Sequence, residues 1–426
     1  MIYGDYQHFG IGQAVYDLAE QAMGIVEPVF ATIRQNRASN QLRVLAALQA
    51  AEISESYFGG TTGYGYDDLG RDRIESAYAS AFGAEAALVR IQISSGTQAL
   101  ALCLFGLLRP GDELLSATGT PYDSLLETIG VIDSDSADSG SLRDFGVGYR
   151  QVELTSAGQP DPDAIRQAIN EKTRVVLIQK SRGYSLRQSL LASDIAAIVQ
   201  TVRSAGSRAI VLVDNCYGEF VETREPCMVG ADLCAGSLIK NPGGGLCPSG
   251  GYIVGRADLV RKVAARLSAP GLDSHVGPSL GLNRLIAQGF YLAPHIVAES
   301  LKGAVFASAF FRLAGFHTYP APDAARGDIV QSIELRSPES LIAFCQAVQA
   351  AAPVDSFVSP EPWTMPGYQD PVIMAAGTFI QGASIELSAD GPMREPYPAY
   401  LQGGLCFENV QLACMMAIER IGGGTA

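Results

Sequence analysis

The amino-acid sequence predicts an α/β fold, in which a mostly parallel sheet with helices on both faces precedes a smaller α+β domain. Between residues 72 and 255, short apolar runs alternate with helical ones, and this alternation is the signature of repeated βαβ units. A chain of 426 residues is also too long for one simple core. We therefore expect an N-terminal helical arm at residues 1–60, a large domain at 61–285 and a smaller domain at 286–426.

The N-terminal arm is predicted from apolar residues at intervals of three and four in residues 14–20 and 42–49. The segment 58–71 is rich in glycine and tyrosine and has no period, so no regular element is expected there. In the large domain, strands are predicted at 86–92, 112–116, 173–179, 209–214, 231–235 and 251–255. Helices are predicted between them at 97–105, 161–169 and 194–202.

The C-terminal region is predicted to contain both element types. Helical patterns occupy residues 284–292 and 340–348, and another lies near the C-terminus. Strands are predicted at 328–335 and 377–387. Earlier in the chain, the run of Asp and Ser from 133 to 141 is predicted to be an exposed loop.

Composition excludes several classes of function. The formal net charge of −14 disfavours binding to nucleic acids and anionic membranes. Four scattered histidines and eight cysteines without CxxC spacing indicate no metal site and argue for reduced thiols. No apolar run approaches the roughly 20 residues that span a bilayer, and the N-terminus does not resemble a signal peptide. We expect a cytoplasmic protein whose partners are small molecules and its own copies.

Lys240 is the most informative residue, because it ends a short apolar strand and precedes the glycine-rich turn Asn241–Gly245. Asp214 ends another apolar strand upstream. An amine that forms a Schiff base and a carboxylate that keeps a ring nitrogen protonated together indicate pyridoxal 5′-phosphate. Lys180 also follows a strand and is the competing lysine. An ordinary solvated lysine followed by a turn is the alternative interpretation.

A candidate phosphate site precedes the helix at 97–105. The backbone N–H groups of Gly96 and Thr97, following Ser95, would face outward at the helix N-terminus and attract an anion. The same Ser-Gly-Thr sequence is also typical of an ordinary N-cap. Ser237 is placed to add a hydroxyl to the phosphate, and Tyr122 is placed to lay its ring on a flat cofactor.

In this order, these motifs resemble the pyridoxal-phosphate enzymes of fold type I, and their spacing is similar to the Cys/Met-metabolism branch that includes methionine γ-lyase and the cystathionine lyases. More narrowly, the chain resembles the methionine γ-lyase-like group of aluminium-resistance proteins. The resemblance covers nearly the whole chain. It rests on the segments Tyr64–Arg71, Gln179–Tyr184, Val213–Phe220, Ile239–Gly245 and Tyr400–Gly404.

The resemblance implies a role for each matching residue. Lys240 would bind the cofactor aldehyde and shuttle the Cα proton, while Asp214 would keep the ring nitrogen protonated. Tyr217 matches a tyrosine that bonds the ring oxygen in related aminotransferases, with a core tyrosine as the alternative. Tyr122 matches the stacking aromatic. Tyr64 matches a tyrosine donated by a neighbouring subunit, which binds the phosphate and assists the leaving group, so a homodimer or homotetramer with shared sites is expected.

The chain departs from the lyase pattern at two places. Tyr66 stands where the lyases carry an arginine beside the phosphate, so we assign Tyr66 to the cofactor site and regard Arg71 as a replacement for the missing charge. The arginine that grips the substrate carboxylate is replaced by Glu386, in Glu386-Leu-Ser388. Because a carboxylate does not bind a carboxylate, Arg394 or Arg182 is expected to take that role.

The resemblance implies a carbon–sulfur lyase acting on methionine, cystathionine or cysteine by Cα deprotonation and β- or γ-elimination. Two other hypotheses stay open. An aminotransferase or a cysteine desulfurase has the same fold, and Tyr217 slightly favours the aminotransferase. A non-catalytic pyridoxal-phosphate-binding protein of stress or metal tolerance is the third.

Overall fold

The computed structural model describes residues 2–131, 139–364 and 370–423. Residues 133–138 of the predicted loop at 133–141 lie outside the described residues. The helices are α1 (Tyr3–Gln7), α2 (Gln13–Ala50), α3 (Leu69–Phe82), α4 (Gly96–Leu107), α5 (Asp123–Ile129), α6 (Pro162–Ala168), α7 (Ala192–Ser204), α8 (Ala257–Leu267), α9 (Asn283–Leu313), α10 (Pro338–Ala351) and α11 (Phe407–Gly423). The strands are β1 (Ala86–Arg90), β2 (Glu113–Ser116), β3 (Gly148–Gln151), β4 (Thr173–Gln179), β5 (Ile210–Asp214), β6 (Leu233–Ser237), β7 (Gly251–Gly255), β8 (His317–Tyr319), β9 (Gln331–Glu334), β10 (Val372–Ala375), β11 (Ser388–Pro392) and β12 (Pro398–Gln402).

The first sheet has seven strands in the order β1-β7-β6-β5-β4-β2-β3. Strand β7 runs antiparallel to both of its neighbours, whereas β3, β2, β4, β5 and β6 pair in parallel. The predicted mostly parallel sheet is therefore confirmed. Strand β3, an edge strand with little burial, was not predicted because it has no apolar run.

Helices cover both faces of this sheet, as the sequence predicts. Along β4, Val175 and Leu177 pack with α4 and α8 residues in one apolar cluster. Val176 and Ile178 point the other way and pack in a second cluster with Ile195 of α7. Strands that are buried on both faces read as continuous apolar runs, which explains the composition of β4 and β5.

The second sheet has five antiparallel strands in the order β10-β11-β12-β9-β8. One of its faces packs in the apolar cluster that also contains α10 and α11, through Ile333, Ala389, Ala399 and Leu401. Because side chains alternate along a strand, Ser332, Asp390 and Tyr400 point away from that cluster. This opposite face lies towards the polar residues described below.

The predicted strand at 377–387 is wrong. Residues 372–375 and 388–392 form the strands, and the segment between them folds into turns. The reason is Glu386, whose carboxylate accepts the backbone N–H groups of Phe379 and Ile380 at 2.8 and 2.9 Å. A backbone whose donors are used in this way is not available to pair with a neighbouring strand.

The two N-terminal helical patterns belong to one helix, α2, of 38 residues. It packs along the 31-residue α9, and their contact is the most extensive between any two elements. Within the described part of the chain, no helix combines the length and apolar character needed to cross a bilayer.

Candidate functional site

A cavity of about 180 Å³ opens at the carboxyl edge of the first sheet. Polar residues that follow β1, β2, β5 and β6 converge there, as the parallel topology requires. The structure brings eight predicted site residues to its wall, namely Ser95, Gly96, Thr97, Tyr122, Asp214, Tyr217, Ser237 and Lys240. The eight residues come from four separate strand ends, so only the folded sheet brings them together.

One end of the cavity is the N-terminus of α4. Ser95 is the N-cap, and its hydroxyl accepts the backbone N–H of Gln98 at 3.0 Å. The N–H groups of Gly96 and Thr97 come next, and the Thr97 hydroxyl lies 2.7 Å from that of Ser124. A Cβ on Gly96 would lie 2.9 Å from the Cys216 sulfur, so the site requires glycine there. These donors form a narrow anion cradle that fits a phosphate.

Lys240 also lines the cavity and lies against the ring of Tyr217. Its Nζ is 4.0 Å from the Tyr217 ring centroid. Burial disfavours the charged amine, but nearby Cys216, Tyr217 and Asp214 outweigh burial and raise the pKa of Lys240 above its ordinary value. An amine in these surroundings carries its proton at neutral pH.

Asp214 ends β5 and accepts the backbone N–H of Cys216 at 3.1 Å. Burial raises the pKa of Asp214, whereas the charge of Lys240 and the Cys216 amide oppose that rise. The carboxylate is thus placed in a dry environment where a positively charged partner stabilises it. A protonated ring nitrogen is such a partner, and the donor set fits pyridoxal phosphate.

Tyr217 is held in an uncommon backbone conformation, with φ of +70°. Its hydroxyl lies 3.1 Å from the Ser384 hydroxyl, which precedes β11. This contact joins the turn after β5 to the segment between β10 and β11 of the second sheet. The sequence does not indicate Ser384, because it follows no strand.

A larger cleft of about 640 Å³ adjoins the cavity through Tyr122, Gln179 and Gly183. Both arginines proposed for the substrate, Arg182 and Arg394, line it. Its wall also contains Tyr184, Tyr319 and three acidic side chains, Asp123, Glu153 and Asp370.

The two arginines have different surroundings. Arg182 is buried, its Nη1 donates to the Tyr319 carbonyl at 2.7 Å, and its Nε is 3.8 Å from Asp328. Its Nε and Nη2 atoms are buried without a hydrogen-bond partner among the described residues. Arg394 is exposed and bonds Asp370 at 3.1 Å. Both arginines thus lie near a carboxylate, but Arg182 keeps two donors without a hydrogen bond among the described residues, whereas Arg394 is hydrogen-bonded to its carboxylate.

The structure does not bring Tyr64 and Tyr66 to the cavity of their own chain. They are 74% and 53% exposed, on a loop that packs against residues 277–281. Arg71, considered as a phosphate ligand, is buried and donates to the carbonyls of Gly65 and Gly277. The structure places it as a support of that loop.

The competing lysine, Lys180, is buried beneath the turn after β5. Its Nζ donates to the Gly218 carbonyl at 3.1 Å and lies 3.5 Å from Glu222. It does not line the cavity, whereas Lys240 does. Gln179, Ser181 and Cys216 line the cavity and were not assigned a role from the sequence. Their only sequence signal is their position at the ends of β4 and β5.

This chain is similar to known proteins over almost all of its length. The Methionine gamma-lyase family model matches residues 15–422. An uncharacterized Bacillus subtilis protein, YnbB, is 51% identical over 410 residues, covering 96% of this chain and 97% of that protein. A solved carbon–sulfur lyase involved in aluminum resistance from Clostridium novyi is 46% identical, with a TM-score of 0.95 over 99% of this chain and 100% of its own.

A pyridoxal-5′-phosphate dependent protein of Escherichia coli has the same fold at 20% identity, with a TM-score of 0.60 over 91% of this chain and 97% of its own. The resemblance inferred from the motifs is therefore confirmed, as is the fold of the type I pyridoxal-phosphate enzymes. Because the family model matches almost the full length of this chain, the chain belongs to the methionine gamma-lyase family.

Proposed function

We propose that this protein is a pyridoxal-phosphate-dependent carbon–sulfur lyase that acts on a sulfur amino acid such as methionine, cystathionine or cysteine. One observation carries the proposal. In a chain of the methionine gamma-lyase family, the amine of Lys240 shares a cavity with the Asp214 carboxylate and the N-terminal donors of α4. The aluminum-resistance lyase of Clostridium novyi supports the same class of reaction.

Four residues would hold the cofactor phosphate, namely Ser95, Gly96, Thr97 and Ser237. The Tyr122 ring would cover the cofactor ring, and the Tyr217 hydroxyl would bond its oxygen substituent. Asp214 would keep the ring nitrogen protonated. When bound, pyridoxal phosphate supplies an aldehyde for the amine and a ring that accepts the electrons left at the substrate Cα.

Lys240 is the residue assigned to proton movement. With the cofactor bound, its Nζ would be placed to take the proton from the substrate Cα. The Tyr217 ring lies against Nζ and limits the movement of the amine on that side. Loss of this side chain would remove both the attachment point and the base.

We assign the substrate carboxylate to Arg182 in preference to Arg394. A buried guanidinium with unpaired N–H groups gains more from an anion than an exposed one that already bonds a carboxylate. Glu386 is excluded from this role because its oxygens already accept two backbone N–H groups.

We further propose that Tyr64 and Tyr66 complete the site of a neighbouring subunit. Their exposure in one chain is consistent with residues that reach across an interface. Tyr64 would contact the phosphate and assist the leaving group there, with Tyr66 beside the phosphate.

The activity test incubates the cofactor-loaded protein with methionine, cystathionine and cysteine, and measures thiol, ammonia and 2-oxo acid. We expect all three products from at least one substrate and none from Lys240→Ala. Absence of carbon–sulfur cleavage with every substrate would contradict the lyase. Formation of pyridoxamine phosphate with an amino donor would indicate an aminotransferase, which the proximity of Tyr217 to Lys240 favours as the second candidate.

The attachment test is borohydride reduction followed by peptide mass spectrometry. The cofactor mass is expected on Lys240. Lys180 is the matched control, because it is also a lysine that follows a strand. Modification of Lys180 instead would overturn the assignment of the site.

A further inference from the structure

A second polar cavity, of about 380 Å³, lies at the edge of the first sheet where β4, β5 and β6 begin. Gln179, Asp214 and Ser237, which line the reactive cavity, end the same three strands. Because β4 has seven residues and a strand rises about 3.3 Å per residue, the two edges are about 20 Å apart. The charged side chains of this basic cavity are those of Arg174, Arg203, Arg208, Arg256, Lys262, Asp232 and Asp258.

A buried carboxylate holds two of the arginines in the wall of the basic cavity. Asp232 is 7% exposed, and its Oδ2 accepts the Val211 N–H at 2.7 Å and Nη2 of Arg203 at 2.5 Å. Its Oδ1 accepts Nη1 of Arg256 at 3.4 Å. Arg203 is held a second time, because its Nη1 donates to the Ala209 carbonyl at 2.7 Å. Both guanidinium groups are therefore positioned before any ligand arrives.

The charges around the basic cavity do not balance. Arg256 also pairs with Asp258 at 3.0 Å, so the two arginines just described match the two acids of the wall. The remaining cations, Arg174, Arg208 and Lys262, form no ion pair with any residue that the structure describes. All three are exposed, so an ion can reach them from solvent. Three unmatched positive charges thus face one cavity in a chain whose formal net charge is −14.

A ligand with several negative charges would offset the repulsion among these cations. Guanidinium groups match phosphate oxygens in geometry as well as in charge, because their N–H groups bind two oxygens at once. One phosphate group carries at most two charges, whereas a chain of two or three phosphates carries three or more. The volume of the basic cavity also lies within the range of about 300–1,000 Å³ that is typical of small-molecule sites.

We propose that the basic cavity binds the polyphosphate chain of a small molecule, either free or as part of a nucleoside triphosphate. Arg174, Arg208 and Lys262 supply the charge, while Arg203 and Arg256 fix the shape of the wall. No residue of the reactive cavity lines the basic cavity, so the inference does not depend on the proposed function.

The test is calorimetric titration of the protein with tripolyphosphate, ATP and inorganic phosphate. The protein is first loaded with pyridoxal phosphate and freed of the excess, which fills the anion cradle at α4. We expect tripolyphosphate to bind about 10-fold or more tightly than inorganic phosphate, since it engages more of the cations. Equal affinities of ATP and tripolyphosphate would identify the phosphate chain alone as the ligand, and tighter binding of ATP would identify a nucleotide. Inorganic phosphate binding as tightly as tripolyphosphate would overturn the inference.

The variant with Arg174→Gln and Arg208→Gln is expected to bind tripolyphosphate about 10-fold or more weakly, because two charged donors are lost. The matched control combines Arg224→Gln with Arg261→Gln. These two arginines are exposed and lie outside the basic cavity, and Arg261 is the neighbour of Lys262 on α8. The control removes the same charge and is expected to change the affinity by less than about 2-fold, because salt screens distant charges. Equal weakening in both variants, or no binding to the wild type at low salt, would refute a site in the basic cavity.

Discussion

At the scale of single residues, the cavity brings ionisable groups close together in a dry environment. Asp214 has a raised pKa because burial disfavours its charge, and the Lys240 amine opposes that shift. The same lysine has a raised pKa because nearby Cys216, Tyr217 and Asp214 outweigh its burial. Such mutually coupled shifts are typical of reactive centres, because the protonation of each group then depends on what binds beside it.

Gly96 is predicted to control the affinity for the cofactor. In Gly96→Ala, the new Cβ would lie 2.9 Å from the Cys216 sulfur and displace the N-terminus of α4 from the phosphate position. We expect about 10-fold weaker binding of pyridoxal phosphate, a loss comparable to one charge-assisted hydrogen bond. Fluorescence titration of the apoprotein measures it.

The control for that substitution is Gly24→Ala in α2, where nothing lies within 4 Å of the added Cβ. It is expected to leave cofactor affinity unchanged and to stabilise the fold by about 0.5–1 kcal/mol through helix propensity. An unchanged affinity in Gly96→Ala would remove α4 from the phosphate site.

Glu219 is predicted to make stability decrease with pH. It is fully buried, accepts the Tyr252 hydroxyl at 2.7 Å, and burial raises its pKa to about 8. Between pH 4.5, the ordinary pKa of a glutamate, and pH 8, the unfolded chain has lost this proton and the folded chain keeps it, so stability falls as pH rises.

The measurement is the thermal midpoint of the wild type and Glu219→Gln from pH 5 to pH 8. Because glutamine does not titrate, the midpoint of the variant relative to the wild type is expected to rise across this range. A constant difference between the two proteins would mean that Glu219 is ionised in the folded state.

At the scale of elements, the Asp68 carboxylate helps Arg71 to hold the loop that carries Tyr64 and Tyr66. Asp68, the N-cap of α3, accepts hydrogen bonds from the Thr61 and Ser279 hydroxyls, the Arg71 amide and the Asn283 side chain. Burial opposes its charge, but these donors lower the pKa of Asp68 to about 2. The loop, α3 and the start of α9 are thereby joined at one point.

Asp68→Ala is predicted to loosen this loop and destabilise the protein by about 2–4 kcal/mol, since several donors lose a charged acceptor. Urea unfolding measures the stability, and limited proteolysis reports cleavage between residues 60 and 67. The lowered pKa of Asp68 stabilises the wild type above about pH 4, and this contribution is lost as the pH falls towards 2. The difference in stability between the wild type and Asp68→Ala should therefore shrink in acid. An unaltered cleavage pattern would show that other contacts hold the loop.

At the scale of the whole molecule, two sheets frame the site and a second subunit is proposed to complete it. The first sheet supplies the cavity, and the face of the second sheet borders the adjoining cleft. The exposed tyrosines lie on neither wall in their own chain. An active site shared between subunits would explain why these tyrosines are exposed and lie away from the cavity and the cleft of their own chain.

Sharing of sites predicts complementation between inactive variants. Lys240→Ala and Tyr64→Phe are each expected to be inactive or nearly so. When equal amounts are unfolded together and reassembled as dimers, half of the dimers are mixed, and each has one intact site. We expect about a quarter of the wild-type activity to return, as for random pairing in a two-fold dimer. If no activity returns, Tyr64 acts in the site of its own chain or lies outside the active site.

The sequence by itself determined the fold class, strand β4 at its observed bounds, and the cluster around Lys240 and Asp214. It did so because apolar runs mark buried strands locally, and parallel topology brings the polar residues after those runs to one edge. Only the tertiary structure decided the surroundings of Glu386 and Arg182. Those depend on which backbone groups, register partners and buried charges meet across distant segments, and such encounters leave no periodic signal in the chain.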